Sequence, residues 1–179
     1  MPLIKLQSEG LNLSDTFSFT GNVSGAGEAN APYFQAYLSS NQTGINDNTY
    51  TKIQFNTETH DSANAYDNSS NYRFTPQTAG KYFCYAQLRL TAHNGNSDAK
   101  ETGLKFYFNG SGSSHMYRES LYNTGYQNSP SITLEAIITF NGSSDYLEAY
   151  GLVNTVGDGD NSSFLGNQCR FGAYLLSTT

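Results

Sequence analysis

Three histidines, His60, His93 and His115, and an acidic pair, Asp158 and Asp160, are the residues of this chain best suited to proton or metal chemistry. Histidine titrates near neutrality and can act as general base or metal ligand. The motifs that would recruit it are absent, because neither His-Glu-x-x-His nor Gly-x-Ser-x-Gly occurs. Gly110-Ser111-Gly112-Ser113-Ser114 sets serines among glycines, but a nucleophile elbow opens onto a helix and no helical period follows. All three histidines sit in polar surroundings and are expected on the surface or in turns. Asp158 and Asp160 lie in Gly157-Asp158-Gly159-Asp160-Asn161, which offers oxygen ligands of the kind Ca²⁺ takes. The downstream bidentate Glu of an EF-hand is missing, so a solvated turn is the expectation and the pair is a weak metal candidate. No catalytic or cofactor-binding residue is expected. Asn-x-Ser/Thr sequons, among them Asn41, Asn109 and Asn161, carry little information in a chain so rich in those residues.

The elements that would hold such residues read as strands. Tyr33, Phe34, Tyr37 and Leu38 lie in a first strand, and Lys52 to Phe55 in a second with Ile53 and Phe55 on one face. Asn64 to Asn71 is a loop, after which Tyr72 and Phe74 are expected to share a face before Pro76. Gly80 opens the longest strand, where Tyr82, Cys84, Ala86, Leu88 and Leu90 alternate with Gln87 and Arg89. Leu104, Phe106 and Phe108 alternate up to the turn signal Asn109-Gly110. A weaker strand spans His115 to Tyr122. Ile132 to Phe140 alternates up to Asn141-Gly142, and Tyr146 to Val153 is expected as its hairpin partner. Cys169 to Leu176 is the last strand. Such strands with turns between them argue a sandwich or barrel.

Bulk composition agrees. At 179 residues the chain supports one domain with a short arm. Aromatics reach 14% and charged residues only 13%, a balance that suits strands and turns and opposes disorder. The net charge is −6 with basic residues scattered, so nucleic-acid binding is not expected. No apolar stretch approaches the ~18 residues of a membrane span. Met-Pro-Leu-Ile-Lys-Leu lacks the long apolar run of a signal peptide, so no leader is expected. Cys84 and Cys169 both fall in expected strands and read as two buried thiols, with pairing left open. Residues 1–30 stand apart: Leu3, Ile4, Leu6, Leu11, Leu13, Phe17, Phe19 and Val23 punctuate an extended arm that ends in a Gly-rich hinge. Residues 31–179 form the globular domain.

Between Phe55 and Tyr82 the spacing of aromatics and glycine is distinctive. Phe55, Asp61, Tyr66, Phe74, Gly80 and Tyr82 fall at gaps that resemble the core pattern of the C1q-like branch of the C1q/TNF superfamily. Pro32-Tyr33-Phe34-Gln35-Ala36 resembles its opening strand, Tyr72-Arg73-Phe74-Thr75-Pro76 its Phe-Thr-x-Pro block, and Phe171-Gly172-Ala173-Tyr174-Leu175 its closing strand. Cys84 and Ala86 stand where that family carries aromatics. The resemblance implies an all-β, ten-stranded jelly-roll sandwich that assembles as a homotrimer. Leu11 to Gly21 and Ala65 to Pro76 are further similar in style to C1q-like structural proteins of marine bacteriophages.

Surplus aromatics fit a trimer, because several strands carry apolar groups on both faces: Tyr82 with Phe83, Phe106 with Tyr107, Ile137 with Ile138, Tyr146 with Leu147. Tyr33, Tyr82, Phe106, Tyr107, Tyr146, Tyr150 and Tyr174 are the interface candidates. The resemblances imply a non-catalytic virion protein: a short fibre or tail tip whose arm, Pro2 to Val23, docks on a capsid or tail protein. Loops His93 to Lys100, Ser111 to Ser114 and Gly157 to Ser163 would meet a host glycan or protein, with His93, Asn94, Asn96, Ser113, Asp158 and Asp160 as candidates. A capsid-decoration trimer is the first alternative, and a free soluble carbohydrate- or protein-binding lectin the second.

Overall fold

Alternation of apolar and polar residues becomes strand after strand in the computed structural model. It describes residues 32–92, 99–120, 128–156 and 161–178, with side chains omitted at 113–120. The anchoring-arm residues, His93, Asn94, Asn96, Asp158 and Asp160 therefore lie outside the described residues. Among the described residues every regular element is a strand: β1 (Tyr33–Tyr37), β2 (Gln42–Ile45), β3 (Thr51–Lys52), β4 (Thr57–Asp61), β5 (Tyr66–Asp67), β6 (Arg73–Phe74), β7 (Gly80–Thr91), β8 (Ala99–Phe108), β9 (Ser111–Ser120), β10 (Ser131–Phe140), β11 (Leu147–Thr155), β12 (Ser162–Phe164) and β13 (Arg170–Thr178). Three of these, β3, β5 and β6, are two residues long. The other ten match the strand number expected of the jelly roll.

Two antiparallel sheets face each other. Sheet I runs β2-β12-β7-β13-β1-β4, with β10 also on β7; sheet II runs β5-β6-β11-β8-β9, with β3 also on β11. The long strand β7 is the spine of sheet I. Its even residues Tyr82, Cys84, Ala86, Leu88 and Leu90 are fully buried, while Lys81, Gln87 and Arg89 face water. Phe34, Phe171 and Phe140 come inward from the same sheet and meet Phe74, Leu104, Phe106 and Leu147 of sheet II.

The aromatic pattern seen in the sequence is the clasp between the sheets. The Phe34 ring stacks on Phe74 at 4.4 Å and on Tyr66 at 4.9 Å, and meets Phe171 edge-on at 5.0 Å. Phe171 in turn touches Phe55 at 5.7 Å and Phe106 at 6.0 Å. The buried Tyr66 hydroxyl donates to the Phe55 carbonyl at 3.1 Å, so the polar tip does not lie unpaired in the core. Asp61 accepts from the Tyr66 amide at 2.8 Å and fixes the chain's entry into β5.

Several sequence expectations change here. Tyr72 does not share a face with Phe74, because its φ of 52° is left-handed and breaks the alternation. Tyr146 to Val153 is not the hairpin partner of β10. β10 pairs β7 in sheet I, and β11 pairs β8 in sheet II. The connecting turn crosses between sheets, held by Asn141 Oδ1, which accepts from the amides of Ser143, Ser144 and Asp145. Ser111 to Ser114 is strand rather than loop. The turn is confined to Asn109 and Gly110, at φ 52° and 75°, the two positive values that a two-residue hairpin turn requires. Lys100 belongs to β8, and Ser162 and Ser163 belong to β12. Lys52 to Phe55 is strand only at Thr51–Lys52, although Ile53 and Phe55 are both buried as expected.

Asn supplies most of the left-handed positions. Among the described residues Asn48, Asn64, Asn109, Asn161 and Asn167 have positive φ, and Tyr72 is the other non-glycine that does. Asn tolerates this conformation better than most residues, which gives the Asn-rich composition a structural use.

Cys84 and Cys169 are free and buried. The Cys169 sulfur lies 3.4 Å from the Arg89 amide, five residues along β7 from Cys84. At about 3.4 Å per residue that is roughly 17 Å, far beyond disulfide reach. Burial pushes both thiols above their ordinary range.

The clasp predicts its own energetics. Phe171→Ala is expected to destabilise the fold by about 3–5 kcal/mol in denaturant titration, and Phe171→Leu by about 1.5 kcal/mol or less. A loss under about 1 kcal/mol for the alanine variant would show that the Phe171 ring is not central to the core.

Candidate functional site

Each sheet turns one face inward and one outward, and the two outward faces differ in chemistry. On sheet II, Tyr146, Glu148 and Tyr150 alternate along β11, with Lys105 and Tyr107 beside them on β8. Lys52 Nζ donates to Glu148 Oε1 at 2.6 Å and sits 5.8 Å from the centre of the Tyr150 ring. The Tyr150 and Tyr107 rings stack at 3.9 Å, and Lys105 lies over both Tyr107 at 5.5 Å and Tyr50 at 5.6 Å. Arg73 lies 4.5 Å over the Tyr146 ring. Cations thus cover the aromatic faces, and each tyrosine is half-buried. Burial and the adjacent Glu148 push the Tyr150 phenol up to about 12. This ladder is closed upon itself.

Sheet I is open. Tyr33 pairs Tyr174, Tyr174 pairs Phe83, and Phe83 pairs Ile137, so one row of apolar side chains crosses β1, β13, β7 and β10. Three inter-strand steps of about 4.8 Å make the row roughly 14 Å wide. Tyr33 is 46% exposed, Tyr174 43% and Ile137 59%. Leu176 is also exposed, at the irregularity between Leu175 and Ser177 of β13. Phe83 packs on Tyr174 at 5.3 Å, and Tyr33 meets His60 of β4 edge-on at 6.2 Å.

The next row is polar and rigid. Gln35 Nε2 donates to the Tyr85 hydroxyl at 2.6 Å, and Gly172 lies between them in the ladder. A Cβ at Gly172 would sit 2.5 Å from the Tyr85 ring, so only glycine lets the phenol lie across β13.

The sequence candidates divide accordingly. Tyr33 and Tyr174 lie in the exposed row. Tyr107, Tyr146 and Tyr150 belong to the cation-covered face of sheet II. Tyr82 and Phe106 are corrected: both are 0% exposed within one chain and have no surface to offer a partner. Phe83 and Ile137 take their place. Parity carried the signal, because Tyr82 shares a face with Cys84, Ala86 and Leu88, which leaves Phe83 and Tyr85 outward with Gln87 and Arg89.

A shallow depression of about 510 Å³ is lined by Glu58, Tyr66, Asp67, Asn68, Arg73 and neighbours. Two carboxylates in one pocket would suit acid–base work, but Asp67 is committed elsewhere. Its carboxylate accepts from the amides of Ser69, Ser70 and Asn71 and from the Asn71 side chain at 2.7–3.1 Å. Those bonds hold Asp67 well below the usual carboxylate range. Burial, and then Asp61, holds Glu58 above it. Among the described residues no cluster of three or more metal-ligating side chains occurs. His60 is exposed on β4, and Ser113 and His115 lie in β9.

Two solved structures superpose on this architecture. Eiger TNF from S. frugiperda superposes with a TM-score of 0.55 at 12% identity, covering 84% of this chain and 94% of that one. Murine APRIL superposes at 0.54 and 10% identity, covering 82% and 99%. No protein-family model and no curated protein matches the sequence. The fold is a TNF/C1q-like jelly roll.

The Asp67 turn yields a test. Its folded-state carboxyl titrates below the unfolded value of about 3.9, so its contribution is full above about pH 5 and fades as the pH falls. Asp67→Ala is expected to cost about 1–2 kcal/mol at pH 7, with the gap to the parent narrowing between pH 5 and pH 2. A gap that stays constant across this range contradicts a charged Asp67 as the turn's anchor.

Proposed function

We propose that this chain is a non-catalytic building and binding protein, a homotrimer joined through the exposed face of sheet I. The observation that carries this reading is the Tyr33–Tyr174–Phe83–Ile137 row. Aromatic and aliphatic groups in one contiguous strip are what interface cores are made of, and on sheet II Tyr50, Tyr107, Tyr146 and Tyr150 already lie under cations. Cyclic symmetry buries such a strip in a closed ring and leaves no sticky end. The trimeric number follows from the C1q/TNF resemblance in the sequence.

Within that reading the trimer serves in a bacteriophage particle, as a short fibre or tail tip that displays host-attachment loops. The likeness of Leu11 to Gly21 and Ala65 to Pro76 to phage structural proteins supports this role. The arm, residues 1–30, fastens the trimer to the particle.

Light scattering on the size-exclusion peak is expected to return about three times the 19.6 kDa chain mass. Tyr174→Glu with Ile137→Glu is expected to release folded monomer, while Lys105→Glu on sheet II leaves the mass unchanged. Parent protein that runs as a monomer at micromolar concentration overturns the trimer. Deleting Pro2 to Val23 is expected to preserve the trimer and abolish incorporation into particles. Incorporation of the truncated chain overturns the anchoring role.

A further inference from the structure

Two arginines line one depression at one end of sheet I's outward face. Arg170 pairs Gln87 across the β13–β7 ladder, and Arg89 is the next outward residue along β7. They are diagonal cross-strand neighbours, roughly 7–8 Å apart at the backbone and within reach of long side chains. With Gln87, Ser131, Asn167 and Gln168 they line a depression of about 290 Å³. The chain has only nine basic residues and a net charge of −6, so two cations in one small hollow are a conspicuous placement.

Among the described residues neither cation has an acidic partner there. The ion pair of Lys52 with Glu148 lies on the other sheet. Arg89 Nη1 donates to Gln168 Oε1 at 2.8 Å and its Nε to Ser129 Oγ at 3.4 Å. Arg170 Nη1 donates to the Cys169 carbonyl at 3.1 Å, and its guanidinium lies 5.0 Å over the Tyr37 ring. Each guanidinium has five N–H donors, so most of both sets remain for a ligand. Like charges in neighbouring cross-strand positions repel. An anion between them reverses the sign of that term, and the neutral contacts already hold both side chains in place. The surrounding amides and hydroxyl suit the remaining oxygens of a compact oxyanion or the hydroxyls of a sugar that bears one.

We propose that Arg89 and Arg170 form an oxyanion-binding site, taking a sulfate, phosphate or carboxylate group either free or carried on a sugar. Planar forks grip such groups in bidentate fashion. The site is separate from the apolar row. Arg170 is four residues from Tyr174, about 13 Å along β13, with the Gln35–Tyr85 bond between them. Both guanidiniums belong to one chain, so the site does not rest on the trimer or on the virion role.

Calorimetric titration of the full chain tests it, with inorganic sulfate, inorganic phosphate, galactose 6-sulfate and galactose as probes at constant ionic strength in chloride. At least one oxyanion probe is expected to bind saturably, one per chain. Tighter binding of galactose 6-sulfate than of inorganic sulfate identifies a sugar-borne group, and equal binding identifies the free ion. Arg89→Ala and Arg170→Ala are each expected to weaken binding at least tenfold. Arg170→Lys, which keeps the charge and loses the fork, is expected to weaken it several-fold. Lys105→Gln, which removes a charge from sheet II, leaves it unchanged. Unfolding temperatures of the variants, measured alongside, show that each is folded. The Tyr174→Glu, Ile137→Glu variant is expected to bind as the parent does, which separates this site from assembly. No response beyond chloride, affinity unchanged in the double Arg variant, or loss of binding in the Tyr174→Glu, Ile137→Glu variant overturns the proposal.

Discussion

The stacking of Phe34 against Phe74 and Tyr66 is the contact on which the sandwich depends. Phe34 belongs to sheet I, and Phe74 and Tyr66 to the short strands of sheet II. Strands of two residues cannot hold a sheet edge by ladder bonds alone. Side chains locked between the sheets hold β5 and β6 instead, and Asp61 and the Tyr66 hydroxyl close the polar ends of the same unit. The spacing from Phe55 to Tyr82 is therefore a packing rule. It places one aromatic from each of several loosely paired segments onto a common centre.

With the core closed, the outward faces decide how the molecule meets others. On sheet II the cations of Lys52, Arg73 and Lys105 lie over the rings of Tyr150, Tyr146, Tyr107 and Tyr50. Sheet I sets its apolar row apart from Arg89 and Arg170, with a hydrogen bond that crosses a glycine between them. Segregation of this kind gives one face two distinct recognition chemistries. The low overall charge sharpens the contrast, because nine basic residues do not allow a cation for every exposed ring.

Much of the fold was legible from alternation. β7, β8, β10 and β13 lie where the period of two placed them, and Asn109-Gly110 turns as its residues require. The β10–β11 connection was not legible. Asn141-Gly142 looks like a hairpin turn, but local sequence does not say to which sheet the next strand returns. Tyr72 was misread for a similar reason, since a left-handed tyrosine is rare and nothing in its neighbours announces it. The candidate face was half legible. Of the interface candidates, Tyr33 and Tyr174 are exposed, whereas Tyr82 and Phe106 fit by residue type but not by the parity of their own strands. The Arg89–Arg170 hollow had no sequence signal, because the residues are 81 positions apart and only the β7–β13 register unites them.

Both thiols are sealed inside the sandwich, too distant to join and held in their uncharged form. No cross-link between Cys84 and Cys169 forms or breaks when the surroundings shift between reducing and oxidising. The sandwich is therefore held by packing and ladder bonds whose strength does not depend on the redox poise around it.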